Sequence, residues 1–180
     1  APAFIYVRPD IADRIDPALA GWLGHAAPFA FDLDYRPAPG VERMRVGTPP
    51  VLQMTALDAA LDVWEGVDMD ALRAASIALS ERFIAEVAAR CPDLVLASPR
   101  DAQQRGSQVS FHFAHGYAAM QALIAHGVIG DFRAPDIMRF GFTPLYIDED
   151  DVTRAAEILA RIITDRPWDD PAYHARQAVT

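Results

Sequence analysis

The residue best suited to chemistry is Arg139, the one basic side chain inside the apolar segment Ile137–Phe142. Flanked by Ile137, Met138, Phe140 and Phe142, it is hard to desolvate, and its planar fork matches a carboxylate bidentately. It is therefore a candidate contact for an anionic substrate. The same spacing allows a plainer role: a charge turned to water by strand alternation, or paired with Asp131 or Asp136. Thr48, in RVGTPP, offers a hydroxyl and an amide just ahead of a helix whose N-terminus attracts anions such as phosphate. Arg43 and Arg45 stand close by in sequence and add to that reading. Alternatively Thr48 caps the helix, with proline at its first positions. Trp22 and His25 share the glycine-flanked GWLGH, where the indole either stacks on a planar ligand or fills an apolar gap.

Other reactive types are less productive. The five histidines, 25, 112, 115, 126 and 174, show no ligand spacing beyond His112-x-x-His115, and no metal site is expected. Neither a Gly-x-Ser-x-Gly elbow nor a glycine-rich phosphate loop occurs. Asp148–Asp151 reads as the start of a helix, where acidic side chains complement the dipole, rather than as a calcium site. Cys91, before Pro92 at a helix end, has no activating partner and reads as inert. All sixteen basic residues are arginine, so these residues alone supply no lysine amine for carbonyl chemistry.

The elements that carry these groups follow from periodicity. Ala3–Val7 is expected to be a buried strand, Asp10–Leu19 a turn or short helix, and Ala26–Gly40 an irregular excursion. Val51–Trp64 predicts a helix with Met54, Leu57, Leu61 and Trp64 on its apolar face. Asp68 is expected to cap a long helix running to about Arg90, with Leu72, Leu79, Phe83 and Val87 facing inward, as the joint between two lobes. Strands are expected at Leu94–Ala97 and Gln108–Phe113, the latter alternating Val109, Phe111 and Phe113 against Ser110 and His112. A helix with Tyr117, Met120, Leu123 and Ile124 ends at Gly127, before strands at Val128–Ile129 and Ile137–Phe142. The last helix starts at Asp148 and buries Val152, Leu159, Ile162 and Ile163, with Asp150/Arg154 and Glu157/Arg161 pairs outside. From residue 92 on, this order predicts an α+β lobe with a sheet covered on one face.

A chain of 180 residues with 52% hydrophobic and 23% charged residues reads as globular and soluble, with a core of real size. The net charge of −9 argues against a nucleic-acid surface, and no apolar run is long enough for a membrane helix. The single cysteine fits a reducing compartment, and a cytoplasmic location is expected.

Taken together, GWLGH, PGVERMRVGTPP, RGSQVSFHF and GVIGDFRAPDIMRFGFTPLY make the chain closely resemble the C-terminal portion of kynureninase. The resemblance covers essentially all 180 residues. It implies an α/β to α+β fold, the C-terminal part of a fold-type I enzyme of the transferase-like class dependent on pyridoxal 5'-phosphate. Residues 1–66 would be the end of the large cofactor-binding domain, and 67–180 a linking helix with the small α+β domain. The implied reaction is hydrolysis of L-kynurenine to anthranilate and L-alanine in tryptophan catabolism, on the kynurenine pathway toward NAD biosynthesis. Arg139 occupies the place of the arginine that binds the substrate α-carboxylate, while Trp22 and Thr48 match positions at the cofactor. His25 would border the aromatic end of L-kynurenine or 3-hydroxykynurenine. The family also implies a homodimer with the cofactor site at its interface. In that family the cofactor lysine lies just before a segment like APAFIYV, so no catalytic residue is assigned here, and the segment alone is expected to be inactive. The alternatives are another fold-type I lyase or desulfurase, or a non-catalytic lobe that binds a ligand or partner.

Overall fold

The computed structural model describes residues 3–175, and the chain divides into two units, Ala1–Glu65 and Gly66–Thr180. In the first unit, Pro9 opens a one-turn helix α1 (Pro9–Ala12), its fixed φ suiting a first helical position. Two 3-10 turns follow, Trp22–Gly24 and Gly40–Met44, and then helix α2 (Val51–Leu61), continued by a 3-10 turn at Asp62–Trp64. The organising side chain here is Arg43, which is buried. Its Nε donates to the Ala38 carbonyl at 3.0 Å, its Nη1 to the Asp13 carbonyl at 2.8 Å, and its Nη2 to the Asp13 carboxylate at 2.9 Å. One guanidinium thus ties the backbone around Asp13 to that around Ala38, because its five donors can satisfy carbonyls that no ladder reaches.

Apolar burial contributes little to this unit. Every residue of α2 is exposed, including Met54, Leu57 and Leu61 of the expected apolar face, and Trp64 lies in the turn beyond the helix. The strand expected at Ala3–Val7 does not form: the segment is irregular, with Phe4 95% and Tyr6 80% exposed. Alternation supplies only the propensity; a strand also needs a neighbour to take its N–H and C=O groups, and no described strand pairs with this one.

The second unit has the core. The Asp68 carboxylate accepts from the amides of Asp70 and Ala71 and starts helix α3 (Met69–Arg90). Strands β1 (Val95–Leu96) and β2 (Gln108–His112), helix α4 (Gly116–Ala125), strands β3 (Asp131–Arg133) and β4 (Ile137–Gly141), and helix α5 (Glu149–Asp165) complete it. The sheet runs β1-β2-β4-β3 and is antiparallel throughout. Val109, Phe111, Met138 and Phe140 of the sheet bury against Leu79, Phe83 and Val87 of α3, Met120 and Leu123 of α4, and Leu159 and Ile162 of α5. Phe83 sits among Phe111, Phe140 and Phe142, its ring 5.0 Å from that of Phe140 and 5.3 Å from that of Phe142. α5 begins with a reciprocal capping box, Asp148 accepting from the Asp151 amide and Asp151 from the Asp148 amide.

Several boundaries move for identifiable reasons. The strand expected at Val128–Ile129 starts at Asp131 instead, because the Val128 amide donates to the Leu123 carbonyl at 2.9 Å and serves to close α4. Alanines 118, 119 and 122 bury in α4, while Ile124 stays 40% exposed. On α5 the expected pairs do not form: Arg154 pairs with Asp151, and Glu157 faces Arg90 at 3.8 Å. No helix among the described residues is long and apolar enough to cross a membrane.

Candidate functional site

The four candidate residues fall into two groups, one in each unit. In the first unit, GWLGH packs against the 43–47 stretch at distances that exclude side chains. A Cβ on Gly21 would lie 1.8 Å from the Val46 carbonyl oxygen, and one on Gly24 would lie 2.7 Å from the carbonyl oxygens of Arg43 and Arg45. The two glycines therefore set the approach of the loops and hold Trp22 beside Gly47, whose Cβ position is 3.8 Å from the indole Nε1. Trp22 remains 47% exposed, with its ring edge-on to Phe29 at 5.7 Å. The indole is thus only partly packed within this unit.

Thr48 follows on the same stretch, exposed, with no hydrogen bond to its hydroxyl among the described residues. It does not cap α2: Pro50 holds the cap position, and no side chain bonds the first amides. The supporting cations are committed elsewhere, Arg43 to the backbone clasp and Arg45 to Glu42 at 2.9 Å. The anion-binding capacity near Thr48 is therefore its hydroxyl and the open helix start, without an arginine. His25 is nearly buried; its Nδ1 accepts from the Ala27 amide at 2.9 Å and its Nε2 donates to the Asp34 carbonyl at 3.2 Å. Both ring nitrogens are occupied, which fixes the tautomer and leaves carbon edges for any ligand.

In the second unit Arg139 lies on the sheet face opposite the core. Directly opposed residues of antiparallel strands share a face, so Arg139 stands between Ser110 of β2 and Asp131 of β3. Gln108 and His112 of β2 and Arg133 of β3 lie on the same face. The Arg139 guanidinium, 24% exposed, donates through Nη2 to the Asp131 carboxylate, so pairing with Asp131 rather than Asp136 is realised. Asp136 instead meets His112 Nδ1 at 3.1 Å. Arg139 Nε is shielded from solvent and has no partner. Ser110, expected on the wet side, is buried: its backbone amide donates to Ser98 Oγ at 2.9 Å and its hydroxyl accepts from the Gln108 side-chain Nε2 at 3.2 Å.

Elsewhere the chemistry is structural. Arg105 and Arg100 both donate to Glu81, holding its carboxyl below the usual glutamate range, and Arg105 also binds the carbonyls of Pro99 and Arg100. Burial pushes the Cys91 thiol up, against a smaller opposing effect of Arg90. Among the described residues, no three His, Cys, Asp or Glu side chains converge as a metal site would require. A recess of about 390 Å³ lined by Phe83, Val128, Phe140, Phe142, Val152 and Ile158 contains none of the four candidates. Sequence reasoning missed Gln108 and Ser110 as neighbours of Arg139; the period-two pattern of QVSFHF put them on one face, but their register against β4 was not legible.

A family model described as the kynureninase C-terminal domain matches residues 72–159, from α3 through the sheet into α5. The chain carries a kynureninase C-terminal domain. Curated kynureninases of Burkholderia mallei and Burkholderia pseudomallei are 46% identical to it over 182 aligned residues, covering 100% of this chain and 44% of theirs. The kynureninase of Deinococcus radiodurans is 48% identical over 167 residues, covering 92% of this chain and 41% of its own. The chain thus spans less than half the length of the curated kynureninases it matches. Among solved structures, the apo cysteine desulfurase from Thermococcus onnurineus NA1 superposes with a TM-score of 0.73 at 17% identity, covering 89% of this chain and 42% of that one. The cystine C–S lyase C-DES, in complex with its product cysteine persulfide, gives a TM-score of 0.70 at 23% identity, covering 86% and 41%. These likenesses speak to fold, and the fold is the fold-type I class anticipated for the kynureninase segment.

Proposed function

We propose that this chain is the C-terminal segment of a kynureninase that hydrolyses the Cβ–Cγ bond of L-kynurenine to anthranilate and L-alanine with pyridoxal 5'-phosphate. The observation that carries the reading is identity of 46% sustained over the entire chain. In this reading residues 1–66 end the large cofactor-binding domain, and 67–180 form the linking helix and small domain.

The residues present suit the cofactor. The half-exposed indole of Trp22 suits a planar ring, and the unbonded Thr48 hydroxyl beside an uncapped helix start fits a phosphate. When bound, the cofactor supplies the electron sink for bond cleavage. This chain supplies orientation and charge. Arg139 binds the substrate α-carboxylate through its fork, which fixes the reacting carbon relative to the ring. His25, its nitrogens engaged, presents a carbon edge to the aromatic end of the substrate. Trp22 and Thr48 act across a dimer interface on the partner copy's cofactor, and the assembled enzyme is cytoplasmic. Lysine chemistry comes from outside these residues, since the sequence holds none.

The superposition on cysteine desulfurase favours one other reading, a desulfurase acting on cysteine. The two separate by offering the complete cofactor-loaded protein either L-kynurenine or L-cysteine. Anthranilate, followed by its fluorescence, is the expected product. Sulfide or persulfide from cysteine, with no anthranilate, would replace the kynureninase reading.

A further inference from the structure

We propose that Asp131 is the positioning residue for Arg139, holding its guanidinium in the orientation that receives a substrate carboxylate; this rests on the reading of Arg139 given above. The two residues are direct cross-strand partners on β3 and β4, so their side chains rise from the same face about 5 Å apart at the Cβ atoms. Among the described residues, Asp131 is the one group bonded to the Arg139 guanidinium. Ser110, the partner on the other side, is occupied by Gln108 and Ser98 and leaves the fork to Asp131.

An unrestrained arginine samples many rotamers and loses that freedom on binding a ligand. The contact with Asp131 removes this freedom beforehand, at the Nη2 end, and the strand pairing fixes where Asp131 itself stands. The charges support the same role. Arg133 Nη2 lies 3.8 Å from the carboxylate oxygen that Arg139 uses. Arg139, Arg133 and Asp131 together carry a net charge of about +1, and the Asp136 carboxylate at the same end of the sheet is engaged by His112. Asp131 therefore orients the fork while a second guanidinium offsets its charge.

The test uses the complete holoenzyme with L-kynurenine, comparing Asp131→Ala, Asp131→Asn, Arg139→Ala and the Asp131→Ala/Arg139→Ala double variant. Expected is an approximately tenfold rise in KM for Asp131→Ala with kcat within about twofold, and partial recovery of KM in Asp131→Asn, which keeps one acceptor oxygen. The double variant should bind no more weakly than Arg139→Ala alone, because Asp131 acts through Arg139. If Arg139→Ala raises KM and Asp131→Ala does not, the positioning role is overturned while the carboxylate reading stands. If neither raises KM, the assignment of Arg139 falls as well. Additive losses in the double variant would also overturn the proposal, as would a melting temperature lowered in step with kcat. Should Asp131→Ala fail to fold, Asp131→Asn decides, and an unchanged KM there counts against the role.

Discussion

Arg139 is a charge that water only partly reaches, and its surroundings define what it can do. Its side chain is three-quarters buried, it is paired with Asp131 of β3, and one guanidinium nitrogen is without a partner. In the complete enzyme, Arg139→Ala is expected to reduce kcat/KM for L-kynurenine by about ten- to a hundredfold, the ~1.5–3 kcal/mol of a charge-assisted contact. Steady-state kinetics check this, with the loss falling mainly on KM. Cys91 gives a second expectation at this scale. Burial raises its thiol pKa, so less thiolate is present at neutral pH than for a free cysteine. A thiol reagent should therefore label the native protein slowly and the denatured protein quickly; equal rates would contradict the burial. These residue types were legible in the sequence, and so was the choice facing Arg139 between ligand and Asp131 or Asp136. Which aspartate pairs with it was not, because that depends on the register of β3 against β4.

Elements were read best where one local rule decides them. The Asp68 and Asp148 caps and the burial of Phe83 and Val87 follow from i,i+3 and i,i+4 spacing, and the structure has them. The rules fail where partners decide: Ala3–Val7 has strand propensity without a neighbour, and the Val128 amide is used to end α4. Asp148→Ala should destabilise the chain by about 1 kcal/mol, the usual loss for an N-cap, measurable by chemical denaturation. Acid should weaken the link between α3 and the segment that follows β1. The Glu81 carboxyl, hydrogen-bonded by Arg105 and then Arg100, has its pKa lowered from 4.5. Its contribution is therefore fully present above pH 4.5 and is lost as pH falls through the lower folded value. Thermal melts in this range should show a fall for the wild type and a smaller fall for Glu81→Gln. Equal falls would remove Glu81 from the account.

The two units differ in what holds them. Residues 66–175 enclose an aromatic and aliphatic core around Phe83, whereas residues 3–65 rely on the Arg43 clasp and leave Phe4, Phe31, Leu33 and Leu52 exposed. In the 180-residue chain prepared alone, amides of α2 should exchange hydrogen faster than those of α3, β2 and β4. Comparable protection in both would contradict this contrast. The sequence could not show it, since α2 is apolar without a single preferred face, and nothing local tells whether that surface finds a partner. Identity over the full chain and the fold shared with cysteine desulfurase and C-DES set the larger frame, within which the carboxylate-binding role proposed for Arg139 is to be tested. The direct test compares binding of L-kynurenine with that of its decarboxylated amine, which lacks the α-carboxylate, to the complete enzyme and its Arg139→Ala variant. The account predicts that the wild type prefers L-kynurenine and that the variant loses this preference while binding the amine as before. A preference for L-kynurenine that survives the substitution would contradict it.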